Sequence, residues 1–230
     1  MCTNFTPATP HHLLAMAELN GAVTLPEAPW HAETYPGYLA PMLTAQAGGE
    51  QGVRVSLARF GLIPRWCRDA AQATTVGRGT YNARCETVAE KPSFRIAWRE
   101  QRFGLVPMLN YFEPCWESGR SVRWRIARAD GELMWAAALH ERWVDPASGM
   151  SVQSFSLLTA NADAHPLLNR MHRPGDEKRQ LRLVTASEGM EWLSLPAAHT
   201  LDWLARLPDL GLVGQAAPVR EDPQGALPFD

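Results

Sequence analysis

The chain has 230 residues, 46% of them apolar and 20% charged, with 17 Gly, 18 Pro and a formal net charge of −2. That length suffices to bury a sizeable core in one domain, and no apolar run approaches the ~18–20 residues of a membrane span. The start, Met1 to His12 (MCTNFTPATPHH), lacks the basic and apolar regions of a secretory signal, and Cys2, Cys67, Cys85 and Cys115 form no CxxC pair, so a secreted disulfide scaffold and a zinc ribbon are poor readings and a reducing cytoplasm is expected.

Thr9-Pro10 reads as an N-cap followed by proline at the first helical position, opening a helix through His12 to Leu19. From Gly21 to Gly52 the prolines at 26, 29, 36 and 41 and the Gly48-Gly49 pair predict mostly loop with short extended pieces. Val53 to Arg59 alternates apolar and polar residues, the pattern of a half-buried strand, and runs into a Gly61–Pro64 turn. Phe103 to Phe112 is nearly all apolar and predicts a buried strand interrupted at Pro107. Val122 to Arg128 alternates, Ala129-Asp130-Gly131 turns, and Glu132 to Leu139 follows, which predicts a hairpin. Val152 to Thr159 predicts a further strand. Ser187 to Leu193 and Thr200 to Leu207 predict helices that put Trp192 and Trp203 in the core, and the tail after Pro208 reads as irregular. Many short strands and few helices predict an α+β fold: a single domain on a curved, mostly antiparallel, barrel-like sheet with peripheral helices.

Charge is unevenly spread. Arg54 to Arg128 holds 13 Arg and one Lys against six acids, a local excess of +8, and 20 of the 22 basic residues in the chain are Arg. The planar guanidinium fork suits phosphate, so the middle third fits an anionic polymer as well as an ordinary solvated surface.

Cysteine at position 2 has a side chain small enough to permit removal of Met1, which would leave an α-amine and a thiol on adjacent carbons. Such an amine, with a reference pKa near ~7.7–8.0, attacks an aldehyde to form an imine, and the thiol then closes a thiazolidine. The same thiol could serve as an acyl-transfer nucleophile, or residue 2 could be an incidental terminus. Glu113 stands between Tyr111-Phe112 and Pro114-Cys115-Trp116. Among aromatics a carboxyl would be desolvated and suited to acid–base work; at a strand end it would face solvent. Asn161 ends a strand and leads to His165 and His172, either of which could be catalytic or merely superficial, and neither has companions at metal-ligand spacing.

Met1-Cys2, Gly61-Leu62-Ile63-Pro64-Arg65-Trp66, Asn82-Ala83-Arg84-Cys85-Glu86-Thr87, the stretch from Leu105 to Glu113, and Asn161 to His172 occur in one order. That order, over about residues 1 to 195, resembles the SRAP family, the SOS-response-associated peptidases. The resemblance implies a cytoplasmic monomer, free of metal and organic cofactor, that binds single-stranded DNA and traps abasic sites through Cys2; on DNA it would associate with the nucleoid. It assigns catalytic roles to Cys2, Asn82, Glu113 and His172, with His165 as the alternative histidine because residues 174–178 form an insertion. It assigns DNA contacts to Phe60, Pro64, Trp66 and Arg84, with Phe60 as a stacking face. Asn4 stands where the family commonly has a cation, and Pro114 where a Trp is usual. A thiol peptidase and a non-catalytic single-stranded-DNA-binding module are the alternative functions.

Overall fold

The computed structural model describes residues 2–20, 25–46 and 52–218. In chain order the elements are β1 (Asn4–Pro7), α1 (Pro10–Asn20), β2 (Leu39–Ala45), β3 (Val53–Phe60), α2 (Ala70–Gly77), β4 (Asn82–Arg84), α3 (Arg95–Arg99), β5 (Phe103–Cys115), β6 (Val122–Arg128), β7 (Met134–Val144), β8 (Ser151–Asn161), β9 (Arg179–Leu181), β10 (Leu183–Val184), α4 (Ala186–Ser194), α5 (Ala197–Ala205) and β11 (Leu212–Ala216). Five strands in the order β7-β8-β3-β2-β5 close into a barrel through β5–β7 pairing, with β3–β8 parallel and the other barrel pairs antiparallel. The fold is α+β, a small barrel with added strands and peripheral helices.

The two faces of the barrel wall are separate cores. Met42, Phe60, Val106, Met108, Phe155 and Leu157 fill the inside, with Ala40, Ala58, Ala136 and Ala138 as the small partners that a narrow barrel needs. The alternate residues, Leu43, Val55, Phe103, Leu105, Trp135 and Leu139, point outward under Trp98 of α3 and Trp192 and Leu193 of α4. Strand β7 is therefore buried on both sides, which is why Met134 to Leu139 shows no polar alternation. Helix α4 starts on a capping box between Thr185 and Glu188, and the Trp192 indole Nε1 donates to the Gly104 carbonyl at 2.9 Å.

Three expectations are corrected. Strand β5 runs unbroken through Pro107. The Pro107 carbonyl accepts from Ala8 N at 2.9 Å, so its nitrogen faces the same edge, in the gap where that edge passes from β2 to β1 and no ladder N–H is required. Strands β6 and β7 do not form a hairpin. Both lie antiparallel to β5, β6 against Tyr111–Cys115 and β7 against Phe103–Met108, because thirteen residues at about 3.3 Å each give β5 room for both in line. The proline-rich region before Gly52 is, where described, mostly loop with one short strand, β2, as expected, and Pro41 sits where β2 pairs with β3 alone. The tail after Pro208 supplies β11, which covers the free edge of β6; residues 219–230 of that tail lie outside the described residues.

Gly61 follows β3 with φ +116°, and a Cβ there would run into the carbonyl oxygen of Gly77. Gly61→Ala should cost more than about 2 kcal/mol through a forbidden φ and backbone collision, whereas Gly79→Ala, whose Cβ would meet nothing closer than 3.7 Å, should stay within about 1 kcal/mol. Urea midpoints of the two variants check this; equal midpoints would contradict it.

Candidate active site

Four separate segments converge at one end of the barrel. Strand β1 pairs antiparallel with β5, Asn4 opposite Phe112, which carries Cys2 toward the level of Glu113. Glu113 shares its strand face with Tyr111 and Cys115, the face that packs into the inner core, and is only 2% exposed. Short β4, part of a stretch that reads as loop in isolation, is held parallel to β8, and Asn82 at its start donates from Nδ2 to the Cys2 carbonyl at 2.8 Å. The last segment is sewn to the end of β5 by a bridge between Cys115 and Met171, by Trp116 N to Arg170 O at 3.3 Å, and by His172 N to Pro114 O at 2.7 Å. His172 takes a left-handed φ of +62°, a conformation that histidine adopts more readily than most non-glycine residues, and its Nε2 lies 3.3 Å from Glu113 Oε2.

Burial sets the protonation order. Desolvation raises Glu113 to about 7 and lowers His172 to about 4, the reverse of their ordinary ranking. Between about pH 4 and 7 the pair is thus a carboxylic acid beside a neutral imidazole, one proton between them, and near neutral pH the carboxyl is about half-protonated. Desolvation, with Glu113 adding to it, also pushes the Cys2 thiol well above its usual range. Cys2 is 1% exposed, and its thiol donates weakly to the Asn4 carbonyl at 3.4 Å.

Two acceptor or donor positions nearby are unfilled among the described residues: Asn82 Oδ1 and Tyr111 Oη are buried with no hydrogen-bond partner. Tyr111, fully buried and raised well above its usual range by desolvation and Glu113, has no assigned role in the sequence reading, as does Tyr81, whose hydroxyl is also raised by burial and by Cys2 and Glu113. The signal for Tyr111 was present as spacing: it lies two residues before Glu113, hence on the same strand face.

The remaining sequence-derived positions divide. His172, not His165, stands beside Glu113; His165 Nδ1 accepts from the backbone N–H groups of Leu167 and Leu168, at 3.1 and 3.2 Å, and its other nitrogen faces Asp209. Phe60 is corrected as a stacking face: it is wholly inside the barrel, stacked on Phe155 with centroids 5.2 Å apart and met edge-on by Phe5 and Tyr81. Pro64 is buried in the turn, while Trp66 is 41% exposed with its Nε1 donating to the Pro92 carbonyl. Arg84 is 49% exposed and paired with Glu177 at 2.7 Å. Asn4 does not leave an empty phosphate position; it is buried and donates to Glu33, which also binds Arg123, itself seated over the Phe112 ring.

One end of the barrel gathers Cys2, Asn82, a buried carboxyl and an imidazole, a set of groups suited to acid–base chemistry. The profile of the SOS response associated peptidase (SRAP) family matches residues 1–212, and the chain belongs to that family. It is 30% identical over 190 residues, 80% of this chain and 75% of the relative, to a Bacillus subtilis (strain 168) protein named Abasic site processing protein YoqW. A Bordetella bronchiseptica crystal structure superposes with TM-score 0.82 at 29% identity, covering 95% of this chain and all of that one; one from Bacteroides thetaiotaomicron, at 22% identity, shares the fold with TM-score 0.78 over 94% and 91%. No helix among the described residues is long and apolar enough to cross a membrane.

The inverted pair makes a signed prediction for stability. Between about pH 4.5 and 6.5 the folded pair holds one proton on Glu113 and the unfolded pair holds one on His172, so together they contribute no slope. Glu113→Gln leaves a histidine lowered in the fold, and stability relative to wild type should fall as pH drops from about 6.5 to about 4. His172→Gln leaves a carboxyl raised in the fold, and stability should fall as pH rises from 4.5 to about 7. Each slope should approach about 1.4 kcal/mol per pH unit. Denaturant titrations across this range test it, and slopes of the same sign in both variants would contradict the assignment.

Proposed function

We propose that this protein processes abasic sites in single-stranded DNA by forming a covalent crosslink through Cys2 after removal of Met1. The observation that carries the reading is the buried Cys2, held through its carbonyl by Asn82 and coupled to a Glu113–His172 pair of inverted protonation. The names of relatives such as YoqW support the substrate. While Met1 is attached, the nitrogen of residue 2 is an amide and cannot attack a carbonyl, so its hydrolytic removal comes first.

The chemistry then balances with one water released. The open-chain abasic deoxyribose presents an aldehyde; in ring opening His172, a neutral base, takes the C1′ hydroxyl proton while Glu113 protonates the departing ring oxygen, and the proton then passes from His172 back to Glu113. The α-amine of Cys2 adds to the aldehyde carbon, and Glu113, near half-protonated at neutral pH, donates a proton to the departing hydroxyl as the carbinolamine becomes an imine. The thiol adds to the imine carbon, its proton passing through the acid–base pair to the nitrogen, and a thiazolidine closes. Asn82 Oδ1, buried and unfilled, is an acceptor for the amine N–H groups or a sugar hydroxyl.

Burial argues for amine-first chemistry over a peptidase. A thiol nucleophile needs a depressed pKa and an electropositive setting, and Cys2 has the reverse. Backbone binding falls to exposed arginines, with Arg84 exchanging Glu177 for a phosphate.

On abasic single-stranded oligonucleotides run on denaturing gels, Cys2→Ala should lose the heat-stable adduct while retaining an imine that borohydride traps. Glu113→Gln and His172→Gln should slow crosslinking by about 10²–10⁴-fold with little change in DNA affinity, and His165→Ala should crosslink at nearly the wild-type rate. A heat-stable adduct from Cys2→Ala would overturn the mechanism.

A further inference from the structure

Beside the Glu113–His172 pair lies a recess of about 260 Å³ lined by Pro114, Trp116, Ser121, His172, Arg173 and Asp176. It is smaller than the roughly 300–1,000 Å³ typical of sites for drug-sized ligands, which suits one planar ring system. Trp116 is half-buried at the end of β5, and the exposed Arg173 side chain sits over its ring, guanidinium carbon 5.2 Å from the centroid. Arg173 and Asp176 belong to a tight turn. Lys178 Nζ donates to the carbonyls of His172 and Arg173, at 3.2 and 2.7 Å, and Asp176 N donates to Arg173 O at 3.1 Å, so the turn fixes Asp176, which lines the recess with Ser121.

We propose that this recess is a subsite for the nucleobase next to the lesion, with Trp116 as its stacking face and Asp176 as its selecting group. This rests on the reading that the neighbouring pair acts on abasic DNA. Three features favour a base over a phosphate or a sugar. The indole offers a flat π-face, and base stacking on it outweighs the exposed cation–π contact that Arg173 would surrender. Arg173, once displaced, remains within reach of the strand's phosphates as a bidentate cation. The Asp176 carboxylate repels phosphate but accepts N–H groups, as acidic side chains do from cytosine N4. Guanine, cytosine and adenine each present an amino group to such an acceptor. Thymine presents one N–H flanked by two carbonyls, which the carboxylate repels.

The test uses single-stranded oligonucleotides with each of the four bases on the 5′ side, and separately on the 3′ side, of the lesion. Affinity is measured on a non-reactive tetrahydrofuran lesion and crosslinking rate on a true abasic site. On one side only, guanine should exceed thymine by about tenfold in affinity. Asp176→Asn should collapse that gap, Trp116→Ala should weaken all four bases, and Trp116→Phe should restore most of the loss. A flat base profile in a wild-type protein that crosslinks overturns the subsite and leaves the proposed function standing. A base profile that Asp176→Asn and Trp116→Ala leave unchanged overturns it as well. A base-dependent affinity in a protein that never crosslinks supports the subsite as a binding feature and overturns the covalent reading instead.

Discussion

The pairing of β1 with β5 is the contact on which the rest depends. Four residues, Asn4 to Pro7, lie antiparallel against the second half of the longest strand, and Phe5 is wholly buried between them and the barrel interior. The pairing draws Cys2 into the molecule, toward the level of Glu113, where Asn82 donates to the Cys2 carbonyl. Clamps reinforce it from outside: Asn4 binds Glu33, Glu33 binds Arg123 on β6, and a bridge joins Phe5 to Thr34. An N-terminus is normally the part of a domain most prone to fray, and here ladder hydrogen bonds and buried aromatics hold it.

Low solvent access then decides the chemistry of the groups collected there. A carboxyl and an imidazole 3.3 Å apart would form an ion pair in water, but desolvation disfavours both charges and leaves the proton on oxygen. The same burial keeps the Cys2 sulfur protonated. Below about pH 7 a carboxylic acid, a neutral imidazole and a thiol are thus held together without net charge. The left-handed backbone at His172 is part of this arrangement, because the 170–172 segment must turn out of its bridge to Cys115 while presenting its ring to β5.

The arginine excess of the middle third is less free than its count implies. Arg65, Arg102 and Glu141 form a cluster with Glu100, Arg128 binds Asp130, and Arg84 and Arg123 are matched by Glu177 and Glu33 from outside the segment. The exposed pairs, Arg65–Glu100 and Arg84–Glu177, contribute little stability and exchange partners readily, whereas Arg102 and Glu141 are largely buried and fixed in place. Buried Arg179, bound by Glu86, Glu177 and the Thr159 carbonyl, belongs instead to the framework that supports β4 and β9.

The sequence by itself determined the elements whose signal is local. Alternation marked β3 and β6 and a proline after Thr9 marked the start of α1, because periodicity and capping are properties of a few adjacent residues, while Glu113 stayed open between a buried and a solvent-facing carboxyl. Ordered motifs also identified the family. Tertiary structure alone decided what depends on distant partners. Whether Phe60 faced a base or the core turned on barrel closure, which put Phe155 against it. A turn between β6 and β7 could fold back or run on, and the length of β5 made it run on. The tail became a strand only because β6 had an open edge. His165 and His172 are alike in sequence; a bridge from Met171 to Cys115 placed one beside Glu113, and two backbone N–H groups claimed the other.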